Sequence, residues 1–172
     1  INFSLRSDKG RSYEAIFSEY SEILNHGALA GFSVVNYMSS HDDDSPYDLA
    51  RDTPFETATK LLLAPGAAQI YYGDELARPL RVAGAKGDAH LRSFMDWQAF
   101  ERNALRSGHK IQDIYAHWGK LGRFRRAHPA VGAGIHQKIA AAPYTFSRRL
   151  DADKFGFHDA VVVAINEDGN TP

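Results

Sequence analysis

Three segments with helical spacing alternate with two short apolar runs, and no other feature of this chain limits its fold as much. Residues 12–24, SYEAIFSEYSEIL, place Tyr13, Ile16, Phe17, Tyr20, Ile23 and Leu24 on one helix face. Ser12 is the expected N-cap and Gly27 the stop. The run GFSVVNYM, 31–38, is short, β-branched and aromatic, which suits a strand buried on both faces. TPFE at 53–56 has the form of a capping box: Thr53 accepts from the first turn, Glu56 reaches back, and Pro54 takes the first helical position. The helix runs through ETATKLLLA to Pro65-Gly66, and AAQIYYG, 67–73, reads as a second buried strand. A charged, glycine-containing stretch fills 74–110. A third helix is expected over 111–127, with Ile111, Ile114, Tyr115, Trp118, Leu121 and Phe124 at helical spacing. Arg125 and Arg126 lie near its negative end, and Pro129 closes it.

Helices alternating with strands imply a parallel α/β sheet, with INF at the N-terminus read as the stub of an earlier strand. The tail has another character. KIAAAPYTFSRRL, KFGFHD and AVVVAINEDG read as antiparallel strands of a β-rich module whose boundary falls near Gly132–Gly134. No internal repeat or low-complexity segment is visible.

The apolar share of 44% in 172 residues is enough for a core and argues against disorder. Twenty basic against 21 acidic residues exert no general pull toward nucleic acid or an anionic membrane. No apolar stretch is long enough to span a bilayer, and with no cysteine there are no disulfides or thiolate zinc sites. The chain starts at Ile1 without a signal-peptide pattern, and VVVAINEDGNTP stops in mid-pattern; both suggest a piece of a longer polypeptide.

The functional question is posed by NYMSSHDDDSPYD, 36–48, where acidic charge follows a presumed buried strand. In parallel α/β sheets functional side chains gather at the carboxyl ends of strands. Three readings are open: a solvated loop before a helix, a cation site of one His with carboxylates, or a catalytic pair bonding the hydroxyls of a polar substrate.

Several stretches in order resemble the α-amylase family of glycoside hydrolases. NYMSSHDD is similar to that family's motif at the end of the seventh barrel strand, with a His-Asp core; Ser40 stands where the motif commonly has Asn. LLLAPGAAQIYYGDEL resembles the turn and eighth strand, LRSFMDW the Arg-x-x-Met-x-Trp stretch after it, and HWGKLGRFRRAHPAVGAG the eighth helix running into the C-terminal β-domain. SSHDDDSPYD is most similar to the starch-utilisation amylases of polysaccharide-degrading bacteria.

The resemblance implies an α/β fold: residues 1–131 as the C-terminal portion of a (β/α)₈ TIM barrel, and 132–172 as the start of an antiparallel C-terminal β-sandwich domain. It implies a retaining glycoside hydrolase acting on α-glucosidic bonds of starch-like α-glucans, with an oxocarbenium-like transition state. Asp42 is then the carboxylate that stabilises the transition state and, by its charge, keeps the general acid protonated. His41 is the donor to the same ring's hydroxyls. The nucleophile and acid belong to earlier strands outside this sequence, so the chain alone is expected to be inactive. Its partners are an α-glucan and either the missing N-terminal half of the barrel or a second copy. No cofactor is expected in this chain, calcium belongs to the missing part of the parent enzyme if anywhere, and the implied localisation is extracytoplasmic.

Other residues are assigned more plainly. Asp43 and Asp44 face solvent or a further subsite, for which Asp43 and Arg92 are the candidates, and Arg92 pairs with acidic groups below the site. Tyr71 and Tyr72 are core residues, Asp74 and Glu75 cap or pair with an arginine, and Trp97 packs the loop unless it proves exposed. His117 and Trp118 lie outside the site, and His109 and His128 are surface residues. Competing functions are an α-glucan transferase or glucosidase on the same scaffold, a non-catalytic sugar-binding member, and a metal-dependent phosphoesterase, for which no convincing ligand set is present.

Overall fold

The computed structural model describes residues 1–43, 45–151, 153 and 156–166. Its elements follow the expected alternation: α1 Tyr13–Asn25, β1 Val35–Asn36, α2 Pro54–Leu63 and β2 Ala67–Ala68. Then come α3 Trp97–Glu101, a hairpin of β3 Leu105–Arg106 and β4 His109–Lys110, α4 Ile111–Ala127 and α5 Ala130–Ala133. Strands β5 Ile135–Ala141, β6 Tyr144–Leu150 and β7 Asp159–Ile165 complete the chain. Two compact units result: Ile1–Lys9, Val35–Leu62 and Ala68–Arg123 form one, and Gly10–Val34, Leu63–Ala67 and Phe124–Pro172 the other.

In the first unit Asn36 is fully buried and has a neighbouring segment on each side. Asn2 forms a parallel bridge with it, and the Asn2 amide donates to Asn36 Oδ1 at 2.8 Å. On its other side Gln69 N–H donates to the Asn36 carbonyl at 2.8 Å. β1 and β2 are neighbours in one sheet. The bonds Ala67 N–H to Val34 O and Gln69 N–H to Asn36 O advance together by two residues, the pattern of a parallel pair. INF, GFSVVNYM and AAQIYY are therefore adjacent, as the alternation implies. The strands are much shorter than the apolar runs, however, and the expected burial on both faces is corrected: Phe32 is 74% and Ile70 46% exposed. A ladder needs a partner at every step, and apolar character alone does not supply one.

The capping box is also corrected. Thr53 Oγ1 is buried with no hydrogen-bond partner among the described residues. Glu56 accepts from Tyr47 Oη at 2.8 Å and pairs with the buried Lys60 at 2.6 Å instead of reaching back. Asp48 serves the start of the helix, its two oxygens accepting from the Asp52 and Thr53 amides at 3.1 and 3.0 Å. The unexpected 74–110 elements share a small cluster of Leu76, Ala99 and Ile111, with Met95 and Phe100 packed on it.

In the second unit β5, β6 and β7 form an antiparallel sheet in chain order. Of the three tail segments read as strands, KFGFHD is corrected: its residues 156–158 form no strand, and Lys154 and Phe155 lie outside the described residues. Tyr144, Phe146, Arg148 and Leu150 alternate onto the buried face of β6. α1 covers this face. Ser12 caps it by accepting from Ala15 N–H at 3.2 Å, and Phe17 meets Phe146 edge-on at 5.5 Å between centroids. Arg148 packs against both of these rings and donates to the Leu63 and Val131 carbonyls. Burial lowers its pKa to about 9. Arg125 lies in the last turn of α4, as expected, and donates to the Ala64 carbonyl at 2.9 Å and to that of Gly66; burial lowers its pKa to about 10.

His136 lies against this cluster, 4.8 Å from the Phe146 ring and 3.0 Å from Tyr144 Oη. Burial, and then the Arg148 charge, push its pKa down to about 4 from 6.5. Between those values the unfolded chain binds a proton that the folded chain does not. The histidine's contribution is therefore complete above pH 6.5 and is lost as pH falls toward 4. Urea unfolding at pH 7 and pH 4.5 should show a loss on the order of 2 kcal/mol that His136→Phe abolishes. An unchanged pH slope in that variant would show that the loss comes from other groups.

Candidate active site

The loop that leaves β1 is fastened from below and open above. Ser39 is fully buried, and its Oγ donates to Asp74 Oδ1 at 2.5 Å. Asp74 follows β2 and also accepts from Arg51 Nη2 at 2.7 Å, in a pair whose side chains are 0% and 6% exposed. Arg51 Nε donates to the Arg78 carbonyl at 2.8 Å, and Arg51 holds a left-handed φ of 60°. The expected pairing of Asp74 with an arginine is thus present, and it ties the exits of β1 and β2 together. Burial pushes the Glu75 carboxyl up, while its Oε2 accepts from Gly73 N–H at 3.0 Å. Gly73 has φ +88°, and a Cβ there would lie 2.5 Å from Arg78 Nε, so this turn has both a conformational and a steric need for glycine.

Further along the loop, Asp43 does not face solvent: its side chain is 10% exposed and pairs with Arg6 at 2.7 Å. It also accepts from Tyr37 Oη at 3.1 Å and from Ser45 N–H at 3.0 Å. Burial and this bond raise the Tyr37 pKa, so the phenol remains a donor. Arg92 Nε donates to the His41 carbonyl at 2.9 Å, and its Nη2 lies 3.6 Å from Asp88. Between these fastenings His41 and Asp42 project outward, 65% and 61% exposed, with His41 Nε2 3.6 Å from Asp42 Oδ2. Ser40 Oγ donates to Asp42 Oδ1 at 2.9 Å. Asp44 lies outside the described residues. The structure therefore brings His41, Asp42 and the Arg92 backbone contact together and uses Asp43 as an anchor.

Tyr71 and Tyr72, expected in the core, instead hold the neighbouring loop. Their hydroxyls donate to the Leu91 and Ser93 carbonyls at 3.0 and 2.9 Å, and Tyr72 is 41% exposed. Burial, then the Tyr72 hydroxyl, raise the Tyr71 pKa to about 12. Arg78 stacks on both rings, at 5.4 and 4.1 Å, and donates to Leu91 O, Ser93 Oγ and Tyr72 O. Trp97 is 60% exposed and does not pack the loop. His117 is half-buried against Phe55 and Thr59 Oγ1, with its pKa lowered by burial, and Trp118 is buried. Of the two surface histidines, His109 meets Phe55 edge-on and His128 pairs with Asp159 at 3.1 Å. Arg6, Arg51 and Arg78 carry no sequence signal of their own. The one available clue is Gly73-Asp74 after the apolar run, which marks a tight turn ending in a carboxylate. Among the described residues no group of three His, Asp or Glu could hold a metal ion, and no helix is long and apolar enough to cross a membrane.

No protein-family model matches the chain. It is 43% identical over 127 residues to the periplasmic α-amylase of Escherichia coli K12, covering 73% of this chain and 17% of that protein. The chain thus spans less than a fifth of that curated relative. Among solved structures it is similar to a cyclomaltodextrinase, with TM-score 0.56 and 20% identity over 98% of this chain and 28% of that one. The trehalose-6-phosphate hydrolase of Bacillus licheniformis gives TM-score 0.53 and 18% identity over 87% of this chain and 40% of its own. AmyP in complex with maltotriose gives 0.52 and 14% over 96% and 48%. At these identities the structures attest a shared fold, matched over part of each enzyme. The 43% identity is what makes this chain a relative of the α-amylase family of glycoside hydrolases, and the structures add a shared fold.

Proposed function

We propose that this chain is the C-terminal part of a retaining hydrolase of α-glucosidic bonds in starch-like α-glucans. The observation that supports it most is the exposed His41–Asp42 pair, held on a fastened loop at the carboxyl end of a parallel strand. In this reading residues 1–131 complete a (β/α)₈ barrel and 132–172 begin the β-sandwich domain. Asp42 faces the sugar ring at the cleaved bond. Its carboxylate stabilises positive charge as the ring flattens, and His41 donates to that ring's hydroxyls. The nucleophile and general acid come from strands outside this sequence, so the 172 residues alone have no glycosidase activity. The exposed Ile70 and Tyr72 beside β2 are then covered by the rest of the barrel or, in the isolated chain, by a second copy. The periplasmic relative supports an extracytoplasmic location, and any calcium belongs to the remainder of the parent enzyme.

The test is stereochemical. The full-length protein is incubated with maltoheptaose, and the new reducing ends are followed by proton NMR from the first minutes. Retention requires the α-anomer to appear first, with the β-anomer growing only by mutarotation. The β-anomer appearing first, or no cleavage at all, would exclude the reading.

A further inference from the structure

We propose that Phe94 is a stacking platform for a second glucose ring of the bound α-glucan, beside the ring at His41 and Asp42; this rests on the function proposed above. Phe94 is 97% exposed, the highest value among the large apolar side chains described. Such a ring on a mobile loop would fold back onto the protein, but here both flanks are fixed. On the N-terminal side, Leu91 O accepts from Tyr71 Oη and Arg78 Nη2 at 3.0 and 2.9 Å. Ser93 O accepts from Tyr72 Oη at 2.9 Å, and Ser93 Oγ lies 2.6 Å from Arg78 Nη1. On the C-terminal side, Met95 packs on the Leu76, Ala99 and Ile111 cluster. Asp96 Oδ1 then accepts from Ala99 N–H at 2.9 Å to start α3. With Ser93 and Met95 both held, the backbone presents Phe94 outward and keeps it there.

The same loop touches the candidate site. Arg92 Nε bonds the His41 carbonyl at 2.9 Å, and Phe94 is two residues on, a backbone reach of at most about 7 Å. A pyranose ring has an apolar C–H face and a rim of hydroxyls. A fully exposed aromatic face complements the first, and the half-exposed Arg92 and Asp88 side chains complement the second. A platform ordered before binding loses little conformational freedom when the sugar arrives. The exposed Tyr72, whose hydroxyl bonds Ser93 O, and the exposed Trp97, three residues after Phe94, add aromatic surface to the same loop, with the polar Arg92 and Asp96 between them, a mixture that suits a sugar.

The experiment uses the full-length protein carrying Asp42→Asn to slow turnover, titrated calorimetrically with maltoheptaose at low temperature. Adding Phe94→Ala should weaken Kd about 10-fold, while Phe94→Trp should hold it near the parent value. Because the side chain is nearly all in solvent, neither change should disturb folding, which circular dichroism checks. An unchanged Kd in Phe94→Ala, or equal losses in Phe94→Ala and Phe94→Trp, overturns the platform. Failure of the underlying reading shows separately, as full starch hydrolysis by the Asp42→Asn protein.

Discussion

Asp42→Asn in the full-length protein should lower kcat on soluble starch by about 10²–10⁴-fold, with a melting temperature within about 2 °C of the parent. The two halves follow from separate facts. Asp42 is 61% exposed, and among the described residues its polar contacts are the Ser40 hydroxyl and the neighbouring His41 ring. Asn keeps the shape and can still accept from Ser40, so the fold loses little. On the proposed function, what disappears is a full negative charge beside the ring that develops positive charge, and that interaction strengthens only in the transition state. KM should therefore move less than kcat. The same change at Asp43 should reverse the pattern, because it removes the charge paired with Arg6 at 2.7 Å and loosens the loop: stability falls, and activity falls through it. Asp44→Asn should be mild. A fully active Asp42→Asn enzyme would withdraw the assignment, and an equal kcat loss at Asp44 would move it.

The contrast between Asp42 and Asp43 shows what a sequence can and cannot carry. The helices were legible because their signals are local: Ser12 bonds an amide three residues away, and the apolar positions of α4 repeat within one turn. The place of the His-Asp pair was legible because a strand followed by polar residues ends at the functional face. Which of the three aspartates would project was not legible from spacing. Asp43 is claimed by Arg6, 37 residues earlier, and no periodicity encodes that partner. Glu56 does not reach back for the same reason, since the Thr53 amide it would accept from is already held by Asp48. The composition of the apolar runs predicts strands buried on both faces, whereas the length of a ladder and what covers it depend on neighbours that composition does not name. Trp97 and Phe94 were opaque in another way: exposure of an aromatic is decided by how its flanks are anchored.

Asp74→Ala should destabilise the protein by about 3–5 kcal/mol, measured from urea unfolding. Most of that cost is the guanidinium of Arg51, left 6% exposed with its Nη2 donor unpaired. The attraction between the two ions is largely offset by the expense of taking both from water. The double variant Asp74→Ala/Arg51→Met should therefore recover about 1–3 kcal/mol relative to the single one, as an apolar side chain replaces the orphaned charge. Recovery should be incomplete, because the Arg78 carbonyl loses its Arg51 donor and Ser39 Oγ loses its 2.5 Å acceptor. Activity should not follow stability. Ser39 directly precedes the Ser40–Asp42 segment, so without Asp74 the loop that positions His41 and Asp42 is anchored at one point fewer. In the double variant kcat on soluble starch should stay about 10-fold or more below the parent even where the protein is fully folded. A double variant no more stable than Asp74→Ala would mean that the ion pair's own attraction dominates. One that regained full kcat would mean that the buried pair does not position the site.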